Sequence, residues 1–254
     1  MRTIINREGE TLVNNFGSTM IITTYRNTND IDVYFPEYEW TAEHVKYGHF
    51  SRGMIRCPYE RRVYGVGYIG EGPHRARENG EITKAYRAWH DMMKRAYNPK
   101  HHEKCPTYMD CTVHPDWHNY QVFHEWFDNN YYEIEGHLTN LDKDILIKGN
   151  KQYGPTTCIL VPDFINTLFV KCDALRGELP IGVSYDDRTS KYVSFCRVSG
   201  KKKNLGYYDT SEEAFYAYKT FKEAHIKKVA NDYIEYIPFE LYEAMLEYEV
   251  EIDD

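Results

Sequence analysis

Residues 140–150 read NLDKDILIKGN, and Asp142, Lys143 and Asp144 stand side by side within them. Asp142 and Asp144 could hold a divalent cation, or one of them could activate a water. Lys143 could neutralise a phosphate. An ordinary lysine, with a pKa of about 10.4, is a poor base near pH 7 unless burial lowers it. His137, a few residues upstream, could swing in for that task. The plainer alternative is a charged turn with no chemistry.

A second cluster could bind metal. His101, His102, Cys105, Cys111, His114 and His118 lie within eighteen residues. Cys111 and His114, with Cys105 nearby and Cys158 brought in by folding, could ligate zinc. Strong zinc sites show two tight ligand pairs, and only one half is present. A loop with exposed histidines and Cys111 buried below Trp117 is the preferred reading, so Zn²⁺ is not expected. The glycine-rich run GVGYIGEG (65–72) lacks the lysine-containing phosphate-loop pattern and opens no clear helix. Turns at strand ends account for it.

The 254 residues allow two or three compact modules, and 42% hydrophobic content suffices for cores. The formal charge of −8 argues against nucleic acid until its distribution is considered. Residues 231–254 carry nine Asp and Glu and no Lys or Arg, which leaves +1 for residues 1–230. Within 180–230, ten Lys and Arg face six Asp and Glu. A basic module before an acidic tail is compatible with DNA binding. The six cysteines show no C-x-x-C spacing, so free thiols in a reducing cytoplasm are expected. MRTIINREGETL lacks the apolar core of a secretion signal, and no run approaches the ~18 apolar residues of a membrane span.

The elements that must position these residues follow from periodicity. MIITTY (20–25) and DIDVYF (30–35) alternate as strands around a polar turn, and VYGVGYIGEG (63–72) is a further apolar stretch of a β-rich module. GEGPHRARENG (70–80) has linker composition. Residues 83–97 form a helix with Ala85, Trp89, Met92 and Ala96 on one face, ended by Asn98-Pro99. A second helix over 120–129 has Asn119 as its cap and points Val122, Phe123, Trp126 and Phe127 inward. CILVP (158–162) is a strand and DFINTLF (163–169) a short helix. IGVSY, KYVSFCRV and KNLGYY are three strands. DTSEEAFYAYKTFKEAHIKKVA is a long helix with a Thr210–Glu213 capping box and Ala214, Tyr218, Phe221 and His225 on one face. Residues 238–250 add an acidic helix with Leu241 and Met245 inward.

In KYVSFCRV, Tyr192, Ser194, Cys196 and Val198 share the face that packs on the helix, leaving Val193, Phe195 and Arg197 outward. Leu205 falls inward on the next strand, so Lys202 and Asn204 face out. This region resembles the DNA-binding domain of plant ethylene-response factors, the Apetala-two type. GV (182–183), KY (191–192), Gly200-Lys201, LG (205–206) and DTSEEAFYAY (209–218) carry the likeness. The resemblance implies a three-stranded sheet on one helix that reads the major groove. It places Ser184, Asp186, Arg188, Phe195, Arg197, Lys202 and Asn204 toward double-stranded DNA. Asp186 departs from the family, which usually has Arg there.

ITKAYRAWHDMMKRAYNP (82–99), PTYMDCTVHPDWHNYQVFHEW (106–126) and LDKD…GN…YGPTTCILVP (141–162) resemble the HNH-like segment of phage-encoded homing endonucleases. Those families often join it to an ethylene-response-factor type domain, in the order found here. The resemblance implies one divalent metal, Mg²⁺, with Asp142 as its carboxylate and Asn166 as the last ligand. Asn150 is then the loop residue that orients the base. Lys143 stands where the histidine base belongs.

The expected architecture is α+β and multi-module. It comprises a small β-rich module over 1–72, an HNH-like ββα module over 81–175, and a sheet-plus-helix DNA-binding module with an acidic tail over 178–254. The expected function is sequence-specific DNA binding, with cleavage or nicking by the hairpin. A catalytically degenerate DNA-binding regulator is the alternative, and a phage protein that inhibits a host protein is a third reading.

Overall fold

The computed structural model describes residues 6–170, 179–198 and 200–254. The protein is α+β, with several separate small sheets, and divides into two compact units, Met1–Asn129 and Asn130–Asp254. The module boundary expected at 175–178 lies outside the described residues.

In the first unit, β1 (Thr11–Val13), β2 (Thr19–Asn27), β3 (Asp30–Phe35) and β4 (Trp40–Val45) form an antiparallel sheet in chain order. The two expected strands lie within it as β2 and β3. Their alternation places Met20, Ile22, Ile31, Val33 and Phe35 in one core with Ala42 and Phe50. At the β2–β3 turn, the Asn27 side chain accepts the Asn29 N–H at 2.8 Å.

Helix α1 (Lys84–Tyr97) starts where the Thr83 hydroxyl accepts the Tyr86 N–H, and it stops at extended Asn98 before Pro99. Ala85, Trp89, Met92, Met93 and Ala96 are buried along it. Helix α2 (Tyr120–Asn130) is capped by Asn119, whose Oδ1 accepts the Gln121 N–H at 3.0 Å. Phe123 and Phe127 point inward as expected. Val122 instead is 41% exposed. Tyr120, Phe123 and Phe127 define the apolar stripe, and Val122 falls off it.

VYGVGYIGEG turns sharply: Tyr64 and Gly65 have φ of 52° and 75°, and Val63 bridges to Gly67. A Cβ on Gly67 would lie 2.9 Å from Trp89 and Met93, so packing against α1 explains that glycine. One further expectation is corrected: residues 70–80 are no loose linker. Gln121 Nε2 donates to the carbonyls of Ile69 and His74, and its Oε1 accepts the His74 N–H. A small hairpin, Arg77–Glu78 with Glu81–Ile82, closes the segment.

The second unit begins with an antiparallel pair, β5 (Thr139–Asp142) and β6 (Ile159–Pro162), in which Asp142 opposes Ile159 and Thr139 opposes Pro162. The expected helix over 163–169 is α3 (Asp163–Asn166) continued by a 3₁₀ turn, Thr167–Phe169. Next, β7 (Val183–Asp186), β8 (Lys191–Val198) and β9 (Lys201–Tyr208) form an antiparallel meander. Helix α4 (Ser211–Asp232) opens with the complete Thr210–Glu213 capping box, and α5 (Phe239–Glu247) follows. Gly182 lets the chain pass close to α4: at its φ of 77°, a Cβ would lie 2.1 Å from the Tyr218 ring.

The buried stripe of α4 is Ala214, Phe215, Tyr218, Lys222, Ile226 and Ala230, with Phe221 and His225 half-buried beside it. Its first half packs with Val183 and Cys196 under the sheet. Its second half packs with Ile145, Ile159, Val161 and Ile165 of the hairpin region and with Leu241 and Met245 of α5. Ile226→Ala is expected to destabilise the chain by about 2–5 kcal/mol, read as a lower denaturant midpoint. An unchanged midpoint would contradict this packing.

Candidate functional site

The sheet face away from α4 is defined by register. Ser184 opposes Val193, Phe195 opposes Asn204, and Arg197 opposes Lys202. Directly opposed residues share a face, so these six lie together. Lys202 and Asn204 are exposed, as is Arg197, while Phe195 is half-buried. Lys202 Nζ sits 3.7 Å from the centre of the Phe195 ring, which steers that ammonium across the face.

Asp186 has a local role that explains its carboxylate. It accepts the Arg188 N–H at 3.0 Å and lies 3.7 Å from that residue's guanidinium, at the turn after β7. Its charge is thereby partly balanced, and Arg188 is held at the sheet edge with its side chain 80% exposed.

The sequence reading missed Tyr207. Counting by twos from Leu205 turns it inward, yet it opposes Val193 on the outward face and is 46% exposed. The register shifts between Ser194 and Phe195, so that Leu205 is an extra residue between the pairs Phe195–Asn204 and Ser194–Gly206. Such a bulge inverts the alternation beyond it, and a glycine inside a strand is its signal. At Gly206 φ is 140° and a Cβ would lie 2.9 Å from the Tyr208 hydroxyl.

In the hairpin, Asp142, Lys143, Asp144 and Asn150 come together. Asp142 Oδ1 accepts the N–H groups of Asp144 and Ile145, both at 2.9 Å. Asn150 Nδ2 donates to the carbonyls of Lys143 and Gln152 at 2.6 and 2.7 Å, and its Oδ1 accepts the Gln152 N–H. The loop asparagine therefore fixes the backbone at position 143. The Lys143 side chain is buried, with Nζ 3.0 Å from Asp144 Oδ2 and 5.9 Å from the centre of the Tyr153 ring. That ammonium is directed at a carboxylate within its own turn.

His137 is held away from this group. It precedes β5, and the strand alone carries Asp142 about 10 Å further on. His137 Nδ1 lies 3.0 Å from Asp163 Oδ1, and its ring packs on Phe164. Asn166 lies on α3, which begins at the Thr139 end of the pair, opposite Asp142. No hydrogen bond joins Asn166 to Asp142 among the described residues.

Asp142 and Asp144 supply the hard oxygen donors that suit Mg²⁺. Such an ion would share Asp142 with two backbone N–H groups and Asp144 with Lys143. When bound, it would supply positive charge to a phosphate. Burial pushes the Asp142 carboxyl up to about 6, the Asp144 charge adds to this, and the two backbone N–H bonds oppose it.

Three histidines of the discounted zinc cluster make separate local contacts, while His101 Nε2 is buried without a hydrogen-bond partner among the described residues. His102 Nε2 lies 2.7 Å from the Arg95 carbonyl, His114 accepts the Asp116 N–H, and His118 Nε2 meets the Val113 carbonyl at 3.2 Å. Cys111 is buried, as expected, and Cys57, Cys105, Cys111, Cys158 and Cys196 are free thiols. No described helix is long and apolar enough to cross a membrane. Comparisons with protein-family models, curated proteins and solved structures find no match to this chain.

An acid with a higher pKa folded than unfolded binds more protons in the fold between those two values. Asp142 is displaced from 3.8 to about 6, so its contribution to stability falls as pH rises through that window. Asp142→Asn keeps an acceptor for the turn and removes the charge. It is expected to be more stable than the unsubstituted chain by about 3 kcal/mol at pH 7, with the difference vanishing near pH 4. Denaturant titration at both pH values checks this; an equal difference at both would contradict it. Asn150→Ala leaves two carbonyls and one N–H of the turn without their partner and is expected to cost about 1–3 kcal/mol.

Proposed function

We propose that this chain is a sequence-specific double-stranded-DNA-binding protein whose β7–β9 face enters the major groove, and whose HNH-like hairpin serves as a scaffold. The observation that carries the reading is the register that groups Phe195, Arg197, Lys202 and Asn204 on one outward face. Arg and Lys can pair with guanine edges or phosphates, and Asn suits adenine. A short twisted sheet of this width fits the groove. The pairing of buried Lys143 with Asp144 and the attachment of His137 to Asp163 favour binding without cleavage. On this reading the protein acts in the cytoplasm of a phage-infected cell, as a regulator descended from a homing endonuclease.

A second reading, a Mg²⁺-dependent nickase, is favoured by the close carboxylates of Asp142 and Asp144, whose repulsion a divalent cation would relieve. A third, inhibition of a host protein through the acidic tail, would leave DNA affinity weak and insensitive to the sheet.

Arg197→Ala and Lys202→Ala are each expected to weaken binding to a selected duplex by roughly 5- to 100-fold. Asp142→Ala is expected to leave that affinity unchanged. Gel-shift titration measures all three, and unaltered binding in both sheet variants would overturn the reading. Supercoiled DNA incubated with Mg²⁺ or Mn²⁺ is expected to stay intact. Nicking that disappears in Asp142→Ala would establish the second reading instead.

A further inference from the structure

Among the described residues, two groups gather three metal-ligating atoms within 4.8 Å of one another: Asp30, Asp32 and His44, and His74, His124 and Asp128. The first already holds a cation. Arg26 places Nη1 3.0 Å from Asp30 and Nη2 2.7 Å from Asp32, so a metal would have to displace a bidentate guanidinium. The second has no Lys or Arg in ion-pair contact with its carboxylate among the described residues.

We propose that His74, His124 and Asp128 form a binding site for a divalent transition ion of the zinc class. His124 and Asp128 are four residues apart on α2 and therefore share a helix face. His124 Nδ1 lies 3.1 Å from Asp128 Oδ2. That approach lacks hydrogen-bond geometry, and Nδ1 is buried without a hydrogen-bond partner among the described residues. A buried ring nitrogen in that condition is costly unless something else engages it.

The third ligand comes from the segment before α1, and the fold secures it. Gln121, one turn before His124, accepts the His74 N–H at 3.0 Å and donates to the His74 carbonyl at 3.0 Å. Gly72 permits this approach: a Cβ there would lie 2.3 Å from Gln121 Oε1. His74 is thus clamped by its backbone on both sides while its ring stacks on His124 at 4.1 Å and 17°. The Tyr120 ring meets His124 edge-on at 5.3 Å and packs against one side of the site.

The donor set selects the ion. Imidazole nitrogen suits zinc, cobalt or nickel and is a poor ligand for magnesium. Ligands about 2.0–2.2 Å from a tetrahedral ion lie roughly 3.3–3.6 Å from one another. The three ligand atoms all lie within 4.8 Å of one another, and binding would draw them together from there. Three protein ligands leave one position for water or for an anionic group. The site stands in the first unit and is independent of the DNA-binding reading.

The test is metal binding to the full chain after chelator treatment, with Zn²⁺ followed by calorimetry and Co²⁺ by visible absorption. One tight equivalent of Zn²⁺, with Co²⁺ giving the absorption of a low-symmetry nitrogen–oxygen site, is expected. His74→Ala and Asp128→Asn are each expected to weaken Zn²⁺ binding at least tenfold, and Asp142→Asn to leave it unchanged. Asp128 is exposed, so its variant should fold; a circular dichroism spectrum identical to that of the unsubstituted chain confirms this. Absence of Zn²⁺ binding, or binding undiminished in folded Asp128→Asn, overturns the proposal.

Discussion

Helix α4 is the constraint on which the second unit depends. One continuous run of 22 residues backs two different layers. Ala214, Phe215 and Tyr218 underlie the three-stranded sheet, and Ile226 and Ala230 underlie the hairpin and α5. The sheet cannot present an ordered outer face unless the N-terminal half of α4 is in place. The hairpin cannot bury Ile145, Val161 and Ile165 unless the C-terminal half is. The capping box at Thr210 fixes where this helix starts, and therefore how both cores are registered along it.

Charge is organised around the same helix. The end of the acidic tail has local partners. Lys148 of the hairpin loop contacts Glu251 and Asp254, Lys219 of α4 donates to the Val250 carbonyl, and Glu223 accepts the Val250 N–H. The net charge of −8 thus says little about the outward sheet face, where Arg197 and Lys202 stand. Within the hairpin, electrostatics point the other way. Lys143 and Asp144 are directed at each other, and Asp142 carries the turn through two backbone N–H groups. A hairpin whose polar groups are engaged internally makes a better scaffold than a reaction centre.

Elements with strong local signals were legible in the sequence. The 3.6-residue stripe of α1, its Thr83 cap and the Asn98-Pro99 stop all lie in adjacent residues, as does the Thr210–Glu213 box. Alternation placed Phe195 and Arg197 outward correctly. Features set by distant contacts were not legible. The bulge at Leu205–Gly206 reverses Tyr207, and only the pairing with β8 reveals it. The apparent linker over 70–80 is fastened by Gln121, a residue more than forty positions away. The turn around Asp142 and Asn150 was readable from residue types. The burial of Lys143 and the attachment of His137 to Asp163 depend on tertiary packing, which leaves no local pattern.

On the proposed reading, the outward face of β7–β9 is where this protein would meet duplex DNA. Mapping amide chemical shifts of the full chain while titrating in duplex DNA tests it most directly. The account predicts that the largest shifts fall on Arg197, Lys202, Asn204 and Tyr207, with residues 142–150 little changed. Shifts concentrated on the hairpin or the tail, with the sheet face silent, would contradict it.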